Sequence, residues 1–299
     1  MPLLSEYPSD QSIKLIVMGD SGAGKTGALC SLASAGYNLR ILDADNKLHI
    51  IRNILRSPNS PYSKSAIQNI SYMTITEKMK AQKGALVPAS AKAWEQVTGL
   101  FDRWKDDTQD LGSIFSWTSR DVLVIDTLTM VSQFAMNYVL SLNGRLGDLP
   151  YQSDWNEAQR LIQALITTLY DKQIKCHVVM NCHIVYQGKQ ATTINDKGVA
   201  VKYTVEGTEK GYPLSLGRAL SPALGRYFDS MLLCEGGKIY TQAREGIALK
   251  STNPIDIPKS FPLATGLADY FRAVVGKVPA APEGTQGSPQ TLTNPTQGT

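Results

Sequence analysis

Residues 13–26 read IKLIVMGDSGAGKT. The apolar run 13–18 has the length and composition of a short buried strand. The eight residues after it, Gly19, Asp20, Ser21, Gly22, Ala23, Gly24, Lys25 and Thr26, fit the pattern GxxxxGK[ST]. TGALCSLASAG then has helical character and stops at Gly36. Glycines at these spacings let the backbone turn tightly, so that successive N–H groups and the positive end of the helix face one concavity. That concavity is a phosphate cradle. Lys25 is placed to reach the β and γ phosphates of ATP, and the Thr26 hydroxyl to ligate Mg²⁺.

A second carboxylate is needed to hold the metal. Residues 121–126, DVLVID, are the cleanest buried strand in the chain, and they close on Asp126 at the end where α/β sheets bind ligands. Asp126 is therefore the Mg²⁺ candidate, although its place before the helical TLTMVSQFAMNYVLSL also suits a helix cap. Hydrolysis further requires a group to orient or deprotonate water. Asp45, in ILDADN, is the first candidate; Asp43 shares its parity on a strand, and Glu77 follows the next strand. Asn181 and His183 stand at the end of VVMNCHI, where polar side chains could sense the γ-phosphate.

The remaining pattern alternates strands and helices, which predicts an α/β chain with a parallel sheet and crossover helices. Expected elements are a helix over 47–56, a strand over 69–76, a connector around Lys83-Gly84, helices over 89–106 and 155–172, and a strand over 176–186. In the first of these long helices, Trp94, Val97, Leu100, Phe101 and Trp104 keep helical spacing and read as a core stripe. Residues 187–218 are polar with no clear periodicity. PALGRYFDSMLLCEGGKIYTQARE reads as a strand, a Gly-Gly turn and a hairpin partner. The expected organisation is an arm over 1–11, one ATPase domain over 12–275, and a disordered tail over 276–299, which is rich in Pro, Gly, Thr and Gln.

Composition excludes little. The 299 residues are 42% hydrophobic and 19% charged with a net charge of +4, compatible with a nucleic-acid partner without requiring one. No apolar run approaches the ~18 residues of a membrane span. The four cysteines form no CxxC pair, and the polar, acidic start is no leader, so reduced thiols in the cytoplasm are expected. CHVVMNCH at 176–183 invites zinc, but positions six apart on a strand lie about 20 Å apart, too far for one metal.

The order GDSGAGKT, ILDADN, VLVIDTLT, VVMNCHI resembles the RecA-like P-loop ATPases, a three-layer α/β fold with a mainly parallel central sheet flanked by helices. With PALGRYFD, the pattern looks most like the phage-encoded RecA-like proteins that promote single-strand annealing and recombination. The resemblance covers roughly residues 12–275. It implies a DNA-dependent ATPase, host-cytoplasmic if phage-encoded, that works as a homo-oligomer on single-stranded DNA, with a single-strand-binding protein as a further candidate partner. It also implies that Asp45 matches the catalytic carboxylate, usually Glu in the family, and His183 the sensor. Residues 187–218 would match the mobile DNA-binding loop and 141–156 the earlier one. Lys250, in GIALKST, matches a basic residue that completes the neighbouring subunit's site, with Arg244 as a weaker match; Ser251-Thr252 follow where relatives often carry a second basic residue. Within 187–218, Lys189, Lys197, Lys202, Lys210 and Arg218 face only Asp196, Glu206 and Glu209, and Tyr203 and Tyr212, with Tyr186 just before, supply stacking surfaces. Two other classes fit the same loop: a nucleotide or small-molecule kinase, and an ATP-gated assembly or packaging module.

Overall fold

The computed structural model describes residues 12–82, 84–106, 108–194, 200–244, 246–252 and 255–276, without the side chains of Lys202 and Arg218. The expected arm over 1–11, and the expected tail beyond Gly276, lie outside the described residues.

Strand β1 (Lys14–Met18) is buried along its whole length and leads through the glycine-rich loop into α1 (Lys25–Ser34). There follow β2 (Asn38–Asp43), α2 (His49–Arg56), β3 (Ile70–Thr74), a hairpin of β4 (Met79–Gln82) and β5 (Ala85–Pro88), and α3 (Ala93–Asp102). Next come β6 (Asp121–Asp126), α4 (Leu128–Leu142), α5 (Gln152–Leu169) and β7 (His177–Cys182). An antiparallel arm holds β8 (Ile184–Gln187), β9 (Gln190–Ile194), β10 (Ala200–Thr204) and β11 (Lys210–Pro213). The described chain ends with α6 (Gly217–Ala223), β12 (Ser230–Glu235), β13 (Lys238–Tyr240), β14 (Ser260–Pro262) and α7 (Gly266–Val275).

The central sheet has eight strands in the order β14-β13-β12-β1-β7-β6-β2-β3. From β12 to β3 every pairing is parallel, and β13 and β14 add an antiparallel edge. One face packs on α3, α4 and α5 through residues such as Val97, Phe134 and Ile166; the other packs on α1, α2 and α7 through Leu29, Leu55 and Phe271. This is the three-layer α/β fold expected from the sequence. Burial on both faces is why β1, β6 and β7 read as near-continuous apolar runs.

Five elements depart from the sequence reading. The expected helix over 89–106 stops at Asp102, and Trp104 reaches the core from an extended segment, its backbone paired with Leu111 and Gly112. The expected strand over 176–186 breaks at His183, because the Thr129 hydroxyl takes the His183 N–H and β8 leaves the sheet to pair with β11. The connector around Gly84 is the turn of the β4–β5 hairpin. Residues 187–218 carry ordered strands where no periodicity was expected. Ile194, Val201 and Tyr203 are exposed there, so neither face of the β9–β10 hairpin has a core to impose alternation. The Gly236-Gly237 turn forms as expected, both residues at positive φ (54° and 73°), between β12 and β13. The segment PALGRY before it, residues 222–227, is helical rather than extended.

Candidate nucleotide site

The loop between β1 and α1 holds its glycines where side chains would fail. Gly22 and Gly24 have φ of 81° and 94°, the left-handed region that favours glycine. A Cβ on Gly19 would sit 2.6 Å from the Cys234 carbonyl oxygen at the end of β12. Asp20, Ser21 and Gly22 face outward, while Lys25 is buried. Its Nζ donates to the carbonyl oxygens of Gly19 (2.8 Å) and Asp20 (2.9 Å), and burial lowers its pKa. The ammonium thus hangs over the concavity from its own loop, within reach of an incoming phosphate.

Sheet register brings the other groups to the same edge. Asp126 lies opposite Asn181 across β6–β7 and opposite Asp43 across β2–β6. Thr26 donates its hydroxyl to Asp126 Oδ2 at 2.8 Å, and Asn181 Nδ2 donates to Asp126 Oδ1 at 3.1 Å. Burial raises the Asp126 pKa, against the lowering effect of these two hydrogen bonds. The α4 cap is not Asp126 but Thr127, whose hydroxyl accepts from Met130 N. That leaves both Asp126 oxygens committed to the site.

The three carboxylates that the sequence left open now separate. Beyond Asp43 the chain hooks over the end of β6, with Ala44 N (2.7 Å) and Asp45 N (3.3 Å) both donating to the Asp126 carbonyl. Strand alternation stops applying there, and Asn46 completes the turn at φ 54°. Asp43 is buried and accepts from Lys47 N and the Thr74 hydroxyl. Asp45 instead lines the nucleotide cleft, accepts from the Thr127 hydroxyl at 3.2 Å, and pairs with Lys47 at 3.6 Å. Glu77 is outside that cleft, held by Asn137. His183 reaches the cleft wall beside Asp45; burial, then the Lys25 charge, lowers its pKa.

The cleft has a volume of 750 Å³, within the range of small-ligand pockets. Its polar lining includes Lys25, Thr26, Asp45, Thr127 and His183, and its apolar lining includes Ile54, Tyr62 and Leu263, a surface suited to a nucleobase. A hydroxyl and a carboxylate sharing one hydrogen bond form an oxygen donor set of the kind Mg²⁺ takes alongside its waters. Asn181 Oδ1 is buried without a partner and is left over for a water or donor at this edge. The residues therefore fit ATP with Mg²⁺.

Lys250 and Arg244 lie outside the cleft of their own chain. Lys250 donates to the Phe228 carbonyl at 2.8 Å and its backbone pairs with Met231, near the opposite end of β12 from the loop. Arg244 pairs with Glu235 at the loop end of β12 and stacks over Tyr240. The cysteines of CHVVMNCH are buried and free, and His177 packs against Tyr37 and Phe271 far from His183. Among the described residues no cluster of His, Cys, Asp or Glu could hold a metal by itself.

Sequence reasoning missed Thr127, Lys47 and the apolar wall of Tyr62 and Leu263. Thr127 was visible beside Asp126 in VLVIDTLT; Leu263 had no local signal, since only tertiary packing lays it over Gly24.

No protein-family model matches the chain, and no curated protein matches it. Among solved structures it is similar to a prototypical ATPase from the type III secretion system of pathogenic bacteria, at 10% identity and a TM-score of 0.40 over 74% of this chain. It is also similar to the RadB recombinase, at 11% identity and a TM-score of 0.38 over 81% of this chain. The match spans about half (52%) of the secretion ATPase and 91% of the recombinase. No helix among the described residues is long and apolar enough to cross a membrane.

Proposed function

We propose that the chain is a RecA-like ATPase that acts on single-stranded DNA as a homo-oligomer, in recombination, annealing or replication of the phage type. The observation that carries the reading is the convergence of Lys25, Thr26, Asp126, Asn181, Asp45 and His183 on one sheet edge, with the β8–β11 arm leaving the sheet at His183.

In this mechanism the loop N–H groups and Lys25 hold the phosphates. Thr26 and Asp126 would hold Mg²⁺, which would supply positive charge against the phosphate oxygens. Asp45, fixed by Thr127 and Lys47, orients the attacking water. His183, joined through its backbone to Thr129 and Leu214, passes the state of the γ-phosphate to the root of the arm. Exposed Tyr186 and Tyr203 offer stacking surfaces and exposed Lys189 and Lys210 offer phosphate contacts. Lys250 acts on the neighbouring subunit's site.

The test is the ATPase rate with and without single-stranded DNA, for the wild type and Lys25→Ala. DNA stimulation that the substitution abolishes supports the reading. A rate indifferent to DNA, with no DNA binding at low salt, overturns the DNA part and favours an ATP-gated assembly module.

A further inference from the structure

Behind the Asp45 side of the nucleotide cleft lies a second cavity of 630 Å³. Asp45, Lys47 and His183 line both spaces, so the two share one wall. Hydrolysis needs room there for a water of about 30 Å³. The cavity is far larger than that.

Its lining has two kinds of surface. Met79 and Pro88 of the β4–β5 hairpin, with Met130 and Phe134 of α4, supply apolar, polarisable lining that a planar ring can pack on. The polar groups form a fixed chain: Gln133 Nε2 donates to Asn137 Oδ1 at 3.2 Å, and Asn137 Nδ2 donates to Glu77 Oε2 at 2.5 Å. Both amides are thereby oriented, and Glu77 Oε1 is left buried without a partner. A buried acceptor of this kind calls for a donor from a ligand. Exposed Lys78 and Lys80, on either side of Met79 in sequence, supply positive charge beside the hairpin for a phosphate.

We propose that this cavity is a second nucleobase site, taking an amino-bearing base, adenine or cytosine, through the free oxygen of Glu77. Carboxylates and amides recognise the exocyclic amino groups of these two bases, and thymine offers no such group there. The base belongs either to a nucleic-acid strand or to a free nucleotide. The inference rests on the proposed function only for the claim that the shared wall adjoins the γ-phosphate.

Binding of fluorescently labelled deoxyadenosine, deoxycytidine and deoxythymidine homopolymers, and competition by dAMP, dCMP and dTMP, tests it without ATP turnover. The expected result is a preference of about tenfold for the adenine and cytosine polymers over thymine. That preference should collapse in Glu77→Ala and weaken in Gln133→Ala, whose exposed position on α4 leaves the fold intact. Competition by dCMP but not dTMP identifies a free nucleotide as a ligand; selectivity confined to polymers identifies a strand. Equal affinity for all three bases in the wild type, or a preference that both substitutions leave unchanged, overturns the site. A protein with the base preference but no ATP turnover would keep this site and remove the hydrolytic reading.

Discussion

Asp43 and Asp45 are two residues apart, yet only one faces the nucleotide cleft. Asp45→Asn should lower kcat by about a hundredfold or more while nucleotide affinity changes little, because a water-orienting group acts mainly in the transition state. Asp43→Asn should do the reverse. It weakens the acceptors of Lys47 N and the Thr74 hydroxyl, and should lower stability by about 1–2 kcal/mol in denaturant titration with kcat largely kept. Equal kinetic losses in the two variants would remove the distinction. His177 makes a separate point about pH. Burial is the main cause that lowers its pKa from 6.5 to about 4, and its Nδ1 accepts from Ile13 N in the neutral form. The unfolded chain binds the proton more tightly, so this contribution is whole above about pH 6.5 and is lost as pH falls towards 4. The loss amounts to about 3 kcal/mol. Melting temperatures from pH 7 to 4 should fall accordingly, with a shallower slope in His177→Gln.

At the scale of elements, the arm and the loop make contrasting cases. The root of the arm is tied to α4 by the Thr129 hydroxyl, which accepts from His183 N and donates to the Leu214 carbonyl, and by the contact of Ser132 with Ser215. Its outer hairpin, β9–β10, carries exposed Ile194, Val201 and Tyr203 and packs on no core. Replacing residues 190–204 with a short Gly-Ser turn should therefore leave stability and ATP binding intact. Affinity for single-stranded DNA, read by anisotropy, should fall at least about tenfold as stacking and charge are lost; undiminished binding would place the DNA interface elsewhere. The loop has no such tolerance. A Gly19→Ala side chain meets the backbone of Cys234, so nucleotide binding should be lost even if the sheet still folds. The loop was legible in the sequence because its pattern encodes its own turn. The arm was not, because a hairpin exposed on both faces has no apolar alternation to read.

For the whole molecule the questions are assembly and charge. Lys250 is bonded to its own chain's Phe228 carbonyl, so reaching a neighbour's site requires giving up a hydrogen bond worth about 1 kcal/mol. If it acts across subunits, Lys250→Ala and Lys25→Ala should each be inactive, and mixing them should restore measurable turnover. Mixtures with no more activity than their parts would return Lys250 to a purely structural role. The net charge of +4 is small, so DNA affinity should come from repetition of the arm in an assembly. It should then fall steeply between 50 and 200 mM salt, on the order of a thousandfold if several phosphates are engaged per binding unit.

By itself the sequence determined what local pattern and chemistry encode: the glycine-rich turn between β1 and α1, the buried strands, the strand ends carrying Asp126 and Asn181, and the α/β alternation. These depend on residues within one turn or one strand of each other. Only the tertiary structure decided which of Asp43, Asp45 and Glu77 meets the cleft, that Thr127 rather than Asp126 caps α4, and that Leu263 lies over Gly24. It also decided that Glu77, Asn137 and Gln133 form one chain around a second cavity. The physical reason is register. Crossover connections bring β6, β7 and β2 side by side, and a hook of two residues past the end of β2 redirects a side chain that strand parity had assigned to the other carboxylate's face.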